Sequence, residues 1–204
     1  HNAIPREAHA IIGVKDKYKE DIRIKLNTFL AKVQDEYKAV DPGLNITLET
    51  VEIPSKIINK RTTENLILSL YACPHGVIGM SHDIPGLVET STNLASVKMI
   101  DGNIIEIGTS QRSSVESCKE DIVNMVSSVF ELAGAKVTHN EGYPGWKPNP
   151  ESEILKVAQK TYTELFNEEP LIKAIHAGLE CGLFLEKYPQ LDMISIGPTM
   201  TDVH

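Results

Sequence analysis

The sequence lacks several features that would assign it to a specialised class of protein. It has three cysteines, Cys73, Cys118 and Cys181, which form no Cys-x-x-Cys pair, so three buried thiols in a reducing cytosol are expected. No apolar run reaches the roughly 18 residues that a membrane span needs. With 20 Lys and Arg against 28 Asp and Glu, the net charge of −8 argues against a nucleic-acid-binding surface.

Both ends of the chain are unusual for a complete domain. Residues 1–8 do not begin with methionine, and they lack the basic region and long apolar stretch of a signal peptide. The chain ends on His204, just after a short apolar run and a Gly-Pro turn. We therefore expect a piece of a larger protein. Its composition, 41% hydrophobic and 24% charged in 204 residues, fits a soluble globular protein with a sizeable core.

The first 140 residues combine helical and strand patterns. A tight hairpin is predicted at Asp101-Gly102, because glycine accepts a positive φ at little cost. The spacing of apolar residues predicts helices at 15–40, 54–72 and 114–132, and strands at 8–14, 45–53, 87–100 and 104–110, with a short one near Val137. The expected fold class of this part is α+β, a mainly antiparallel sheet backed by helices.

A domain boundary is predicted where the composition changes. Residues 141–150 contain three prolines and two glycines, which neither a helix nor a central strand tolerates. Helices are expected after this loop at 151–166 and 178–187, and strands at 171–175 and 193–196, which together suggest an α/β segment. The predicted domains are therefore 1–140 and 141–204.

Three neighbouring residues form the first candidate site. His176, Gly178 and Glu180 lie where a strand is expected to end and a helix to begin. Glycine allows a ligand to approach the backbone, and a helix N-terminus offers N–H groups to an anion. A capped helix with a hydrogen-bonded histidine explains the same residues equally well.

A second candidate pair lies on the predicted hairpin. Arg112 ends the return strand, where its guanidinium could bind a carboxylate through two parallel hydrogen bonds. A surface arginine paired with Glu116 or Asp121 is the alternative. Asn93 lies on the adjacent strand among Thr and Ser residues, where it could equally be an ordinary edge-strand polar residue.

Six blocks in fixed order are more specific than any single residue. They are residues 2–8 (Asn-Ala-Ile-Pro-Arg-Glu-Ala), 88–93 (Val-Glu-Thr-Ser-Thr-Asn), 111–114 (Gln-Arg-Ser-Ser), 142–146 (Gly-Tyr-Pro-Gly-Trp), 176–184 (His-Ala-Gly-Leu-Glu-Cys-Gly-Leu-Phe) and 195–199 (Ser-Ile-Gly-Pro-Thr). With these blocks the chain closely resembles the cytosolic aminoacyl-histidine dipeptidases, members of the superfamily of dizinc aminopeptidases and carboxypeptidases. The resemblance covers practically the whole length.

The resemblance implies a fold and a chemistry. In that family an inserted lid domain interrupts a zinc-binding α/β catalytic domain, so residues 1–140 would be most of the lid, truncated at its N-terminus. Residues 141–204 would be an incomplete C-terminal portion of the catalytic domain. Two divalent ions, zinc or alternatively manganese or cobalt, would activate the water that hydrolyses a short peptide such as Xaa-His.

The resemblance also implies roles for individual residues. His204 matches a metal ligand, whereas the other ligands and the general base have no counterpart in this sequence. Asn93 and Arg112 would reach the substrate's carboxylate or developing oxyanion, and His176, Gly178 and Glu180 would line the substrate pocket. This chain alone is therefore expected to be inactive.

Partners and location follow from the same resemblance. A homodimer through the lid, a cytoplasmic location and a short peptide substrate are implied, with neither nucleic acid nor membrane as a partner. Without the resemblance, the fold pattern alone would favour a non-catalytic α+β module for ligand binding or dimerisation.

Overall fold

The computed structural model describes residues 3–174 and 180–197. The chain divides into two compact units, of which one is Glu7–Lys60 and the other combines the first six residues with Arg61–His204. No helix within the described ranges is both long enough and apolar enough to cross a bilayer. The predicted boundary between residues 140 and 141 stays a prediction.

The unit Glu7–Lys60 contains one long helix. A 3-10 turn at Asp16–Tyr18 leads into α1, Lys19–Tyr37, which confirms the predicted helix in a shorter form. The helix ends where the backbone N–H of Asp41 donates to the carbonyl of Tyr37, directly before Pro42. The strands predicted at 8–14 and 45–53 are wrong, because a strand needs a hydrogen-bonded neighbour and neither segment joins the sheet that the described chain forms.

The next helix is α2, Lys60–Ala72, which starts six residues later than predicted. Two adjacent β-branched residues, Ile57 and Ile58, occupy the position of the expected first turns and favour helix poorly. A strand that the sequence did not predict, β1 at Gly76–Met80, follows α2. It is short and contains glycine at positions 76 and 79, which weakens the sequence signal of a strand.

β1 joins two long strands, β2 at Val88–Ile100 and β3 at Ile104–Ser113, in an antiparallel sheet of order β1-β2-β3. The predicted hairpin between β2 and β3 is confirmed. Asp101 and Gly102 both have positive φ, 49° and 65°, within the three-residue connection between Ile100 and Ile104.

The core lies between the sheet and α3, Glu116–Leu132. Ile122, Val126 and Phe130 of α3 are buried together with Cys73, and Leu94 and Ile107 of the sheet pack against them. Burial raises the pKa of the Cys73 thiol. The helix ends as predicted just before Gly134, whose positive φ of 81° allows the N–H of Ala135 to reach the carbonyl of Phe130.

Residues 141–149 have no regular secondary structure, as their prolines predicted. The helix α4 follows at Glu153–Phe166, with the Ser152 side chain accepting from the N–H of Leu155 at 3.1 Å. The helix α5 is Glu180–Lys187. The strands predicted at 171–174 and 193–196 do not form, since neither segment is part of the described sheet, and Ile175 lies outside the described residues.

Candidate functional site

Asn93 and Arg112 lie on the same face of the sheet. In the register of β2 and β3, Asn93 is opposite Ser110 and Ser91 is opposite Arg112. Because residues two apart on a strand point to the same side, all four side chains share one face. The two candidate residues are diagonal neighbours across the strand pair, a separation that long side chains can span.

Asn93 is oriented by the segment that precedes the first compact unit. Its Nδ2 donates to the carbonyl oxygen of Ala3 at 2.9 Å, and its Oδ1 is buried. Beside it, His75 Nδ1 accepts the backbone N–H of Leu94 at 3.0 Å. Ala3, from one motif that carries the resemblance, therefore contacts Asn93, the last residue of another.

The opposite face of the same strands is fixed by buried hydroxyl groups. The hydroxyls of Thr90 and Ser113 are 2.8 Å apart, and Gln111 Nε2 donates to Thr92 Oγ1 at 3.1 Å. The Thr90, Thr92 and Ser113 side chains are buried. These cross-strand bonds hold the register of β2 and β3 on either side of Arg112. They therefore fix the position of the Arg112 backbone, from which the side chain extends.

The start of α3 binds the loop that follows the predicted domain boundary. Glu116 Oε2 accepts the N–H of Gly145 at 3.2 Å, and Lys119 Nζ donates to the carbonyl of Tyr143 at 3.1 Å. Lys119 also pairs with Glu116 at 2.6 Å. The hydrogen bond from Lys119 lowers the pKa of Glu116 below its usual value, with a further contribution from the Gly145 N–H.

The same loop also touches α5. A Cβ placed on Gly145 would lie 2.9 Å from the carbonyl oxygen of Ser114, and one on Gly182 would lie 2.9 Å from that of Pro144. Both positions therefore require glycine, because backbone stands directly against them. Glu180 is the exposed first residue of α5, where a carboxylate is favoured by the helix dipole.

The structure thus brings Asn93 and Arg112 together and packs the helix of Glu180 on the loop beside the end of β3. The other three predicted site residues, His176, Gly178 and His204, lie outside the described residues.

A metal centre is not found among the described residues. Within 3–174 and 180–197, no group of three or more His, Cys, Asp or Glu side chains is arranged to hold an ion. The implied metal site has no counterpart within this part of the chain, and its one implied ligand, His204, lies outside it.

Sequence reasoning missed the contribution of Glu116 and Lys119. The sequence suggests Glu116 as a partner for Arg112, whereas in the structure it contacts Lys119 and the N–H of Gly145. Glu116 and Lys119 lie three residues apart on a predicted helix, and this spacing favours an ion pair between them. Its contact with the backbone of residues 143–145 had no sequence signal, since it depends on how a distant loop folds back.

The chain is similar to known dipeptidases in sequence and in structure. The cytosol non-specific dipeptidase of Escherichia coli (strain K12) is 40% identical over 203 residues, which is 100% of this chain and 42% of that protein. The resemblance to the aminoacyl-histidine dipeptidases is confirmed. The crystal structure of aminoacylhistidine dipeptidase from Vibrio alginolyticus matches with a TM-score of 0.82 and 34% identity, over 90% of this chain and 37% of that one. No protein-family model matches the chain.

The structural match confirms the predicted fold class. A small antiparallel sheet with helices, followed by further helices, corresponds to part of the aminoacylhistidine dipeptidase fold. The chain spans less than half the length of either relative.

Proposed function

We propose that this chain is part of a metal-dependent dipeptidase that hydrolyses short peptides such as Xaa-His. The observation that carries the proposal is the 40% identity to a cytosolic non-specific dipeptidase along the whole chain. Residues 1–140 serve as most of the lid, and residues 141–204 as a portion of the catalytic domain. The relative's name also supports a cytoplasmic location.

Arg112 and Asn93 bind the substrate in this proposal. Both are half-buried on one face of the hairpin, so a peptide reaching them loses part of its water shell, and a charge-assisted bond to its carboxylate becomes stronger. Asn93 is already oriented by Ala3, so little side-chain entropy is lost when its amide meets the substrate carboxylate or an oxyanion.

The remaining groups complete the proposed site. His176, Gly178 and Glu180 line the substrate pocket, and His204 is one ligand of two divalent ions, zinc or alternatively manganese or cobalt. A site of this kind needs at least three protein ligands per ion, so further ligands are required besides His204.

The activity proposal is tested on the complete polypeptide that carries this chain. We expect it to cleave Xaa-His and other dipeptides, to lose this activity on treatment with a chelator, and to regain it when zinc, manganese or cobalt is added back. Hydrolysis is measured by release of free amino acid. The matched control is the 204-residue chain, which should remain inactive with every metal. Failure of the complete polypeptide to cleave any dipeptide with any of the three metals contradicts the proposal.

The homodimer forms through the lid in the same proposal. β1 and β3 are the two edges of the three-stranded sheet, and an edge strand offers unpaired backbone groups to a second copy. β3 is the longer edge, with ten residues. Light scattering of the complete polypeptide should give twice the mass of one chain, and a monomer at every concentration tested would exclude the dimer.

A further inference from the structure

The segment Tyr143, Pro144, Gly145, Trp146 and Lys147, here called the strap, is held at both of its ends. At its start, Lys119 donates to the carbonyl of Tyr143, and Glu116 accepts the N–H of Gly145. At its end, Lys147 Nζ is 2.8 Å from Asp83 Oδ2, in the connection between β1 and β2. A loop without regular structure of its own is thereby tied to two different elements.

The strap is also packed on both of its sides. Gly145 lies against the backbone of Ser113 and Ser114 at the end of β3, and Gly182 of α5 lies against the carbonyl of Pro144. The strap therefore fills the space between the strand that carries Arg112 and the helix that begins at Glu180. Because the strap touches both elements, its position bears on the distance between them.

The two ties differ in strength. Lys147 and Asp83 are both largely exposed, so their pair contributes little in water. Only 20% of the Lys119 side chain is exposed, and it bonds Glu116 and the Tyr143 carbonyl at once. Charge-assisted bonds of this kind, partly shielded from water, are stronger and more directional than surface ion pairs.

We propose that Glu116 and Lys119 are positioning residues for the substrate site: they hold the strap and so set the spacing between Arg112 on β3 and Glu180 on α5. Neither residue touches the substrate, and both act through the backbone of residues 143–145. This inference rests on the proposed function, in which Arg112 and Glu180 contact the same short peptide.

Trp146 reports on the strap directly, because it is the only tryptophan of the 204 residues. In the full chain, Glu116→Ala and Lys119→Met should each shift the Trp146 emission to longer wavelength and raise its quenching by acrylamide. Glu116→Gln keeps an acceptor for the Gly145 N–H and should restore part of the wild-type emission. The matched control is Glu120→Ala, which removes an exposed carboxylate from the same helix and should change neither signal.

The complete dipeptidase gives the functional readout. Glu116→Ala and Lys119→Met should raise KM for dipeptides about tenfold or more while the melting temperature stays close to that of Glu120→Ala, because misplacing a binding group weakens binding without unfolding the protein. Unchanged Trp146 quenching, an unchanged KM, or a fall in kcat that only tracks lost stability would each overturn the inference. A wild-type protein without dipeptidase activity overturns the proposed function instead, while the quenching of Trp146 still decides whether the pair holds the strap.

Discussion

Replacing Arg112 by alanine should raise KM for a dipeptide about 30-fold or more in the complete enzyme, because losing a shielded, charge-assisted bond to a carboxylate costs about 2 kcal/mol or more. Because Arg112 is only half-buried on the hairpin face, we expect a free-energy cost at the lower end of the range for buried charge pairs. Steady-state kinetics with an Xaa-His substrate measures it.

Arg112→Lys separates charge from geometry. Lysine keeps the positive charge but loses the planar fork that binds both oxygens of a carboxylate. We therefore expect a KM between those of the wild type and the alanine variant. The control is Lys98→Ala, which removes an exposed cation from β2 nearer the hairpin turn and should leave KM unchanged.

An amidated dipeptide tests whether the partner of Arg112 is the substrate carboxylate. The wild type should bind it worse than the free acid, and Arg112→Ala should bind both equally, because the group that distinguishes them is gone. If the alanine variant loses affinity for the amide as strongly as for the acid, Arg112 has another role and the proposed contact is wrong.

The hairpin that carries Arg112 could be predicted because its signals are local. The Asp101-Gly102 turn, the strand pattern of β2 and the helical spacing of α3 each depend on residues close together in the sequence, and all three formed. In this segment the local preferences of the sequence agree with the final structure, which is why the prediction succeeded.

The strands that failed depended on partners instead. Residues 45–53 alternate as a half-buried strand should, yet alternation only says which side chains share a face and leaves open whether another strand lies beside them. The opposite error occurred at β1, where two glycines hid a strand that is stabilised by pairing with β2.

The candidate site shows the same division. The hairpin predicts that Asn93 and Arg112 lie on adjacent strands. Their shared face depends on a register shift between Leu94 and Ser96, which the position of the turn alone does not predict. The contacts of the strap, by contrast, are made through the backbone between residues about 30 positions apart, as between Gly145 and Ser114. Composition marked residues 141–150 as a loop but could not say what the loop would touch.

Ile122→Ala should lower the free energy of unfolding by about 3 kcal/mol, since removing most of a fully buried isoleucine loses its burial and leaves a cavity. Ile122 is 1% exposed and belongs to the small core that joins α3 to the sheet. Urea unfolding of the chain, followed by circular dichroism, measures the change. The control is Leu132→Ala. Leu132 is similar in size and lies on the same helix, but it is 89% exposed, so its replacement should change the free energy of unfolding by less than about 0.5 kcal/mol.

Ile122→Ala and Arg112→Lys should affect different quantities. The isoleucine supports the back of the sheet through Leu94 and Ile107, on the face opposite Arg112, so the folded fraction of Ile122→Ala should keep the wild-type KM. Arg112→Lys should instead raise KM and leave the unfolding midpoint close to that of the wild type, because lysine keeps the positive charge and most of the aliphatic stem. A KM that rises in Ile122→Ala as much as in Arg112→Lys would mean that the position of Arg112 depends on the core rather than on the hairpin register.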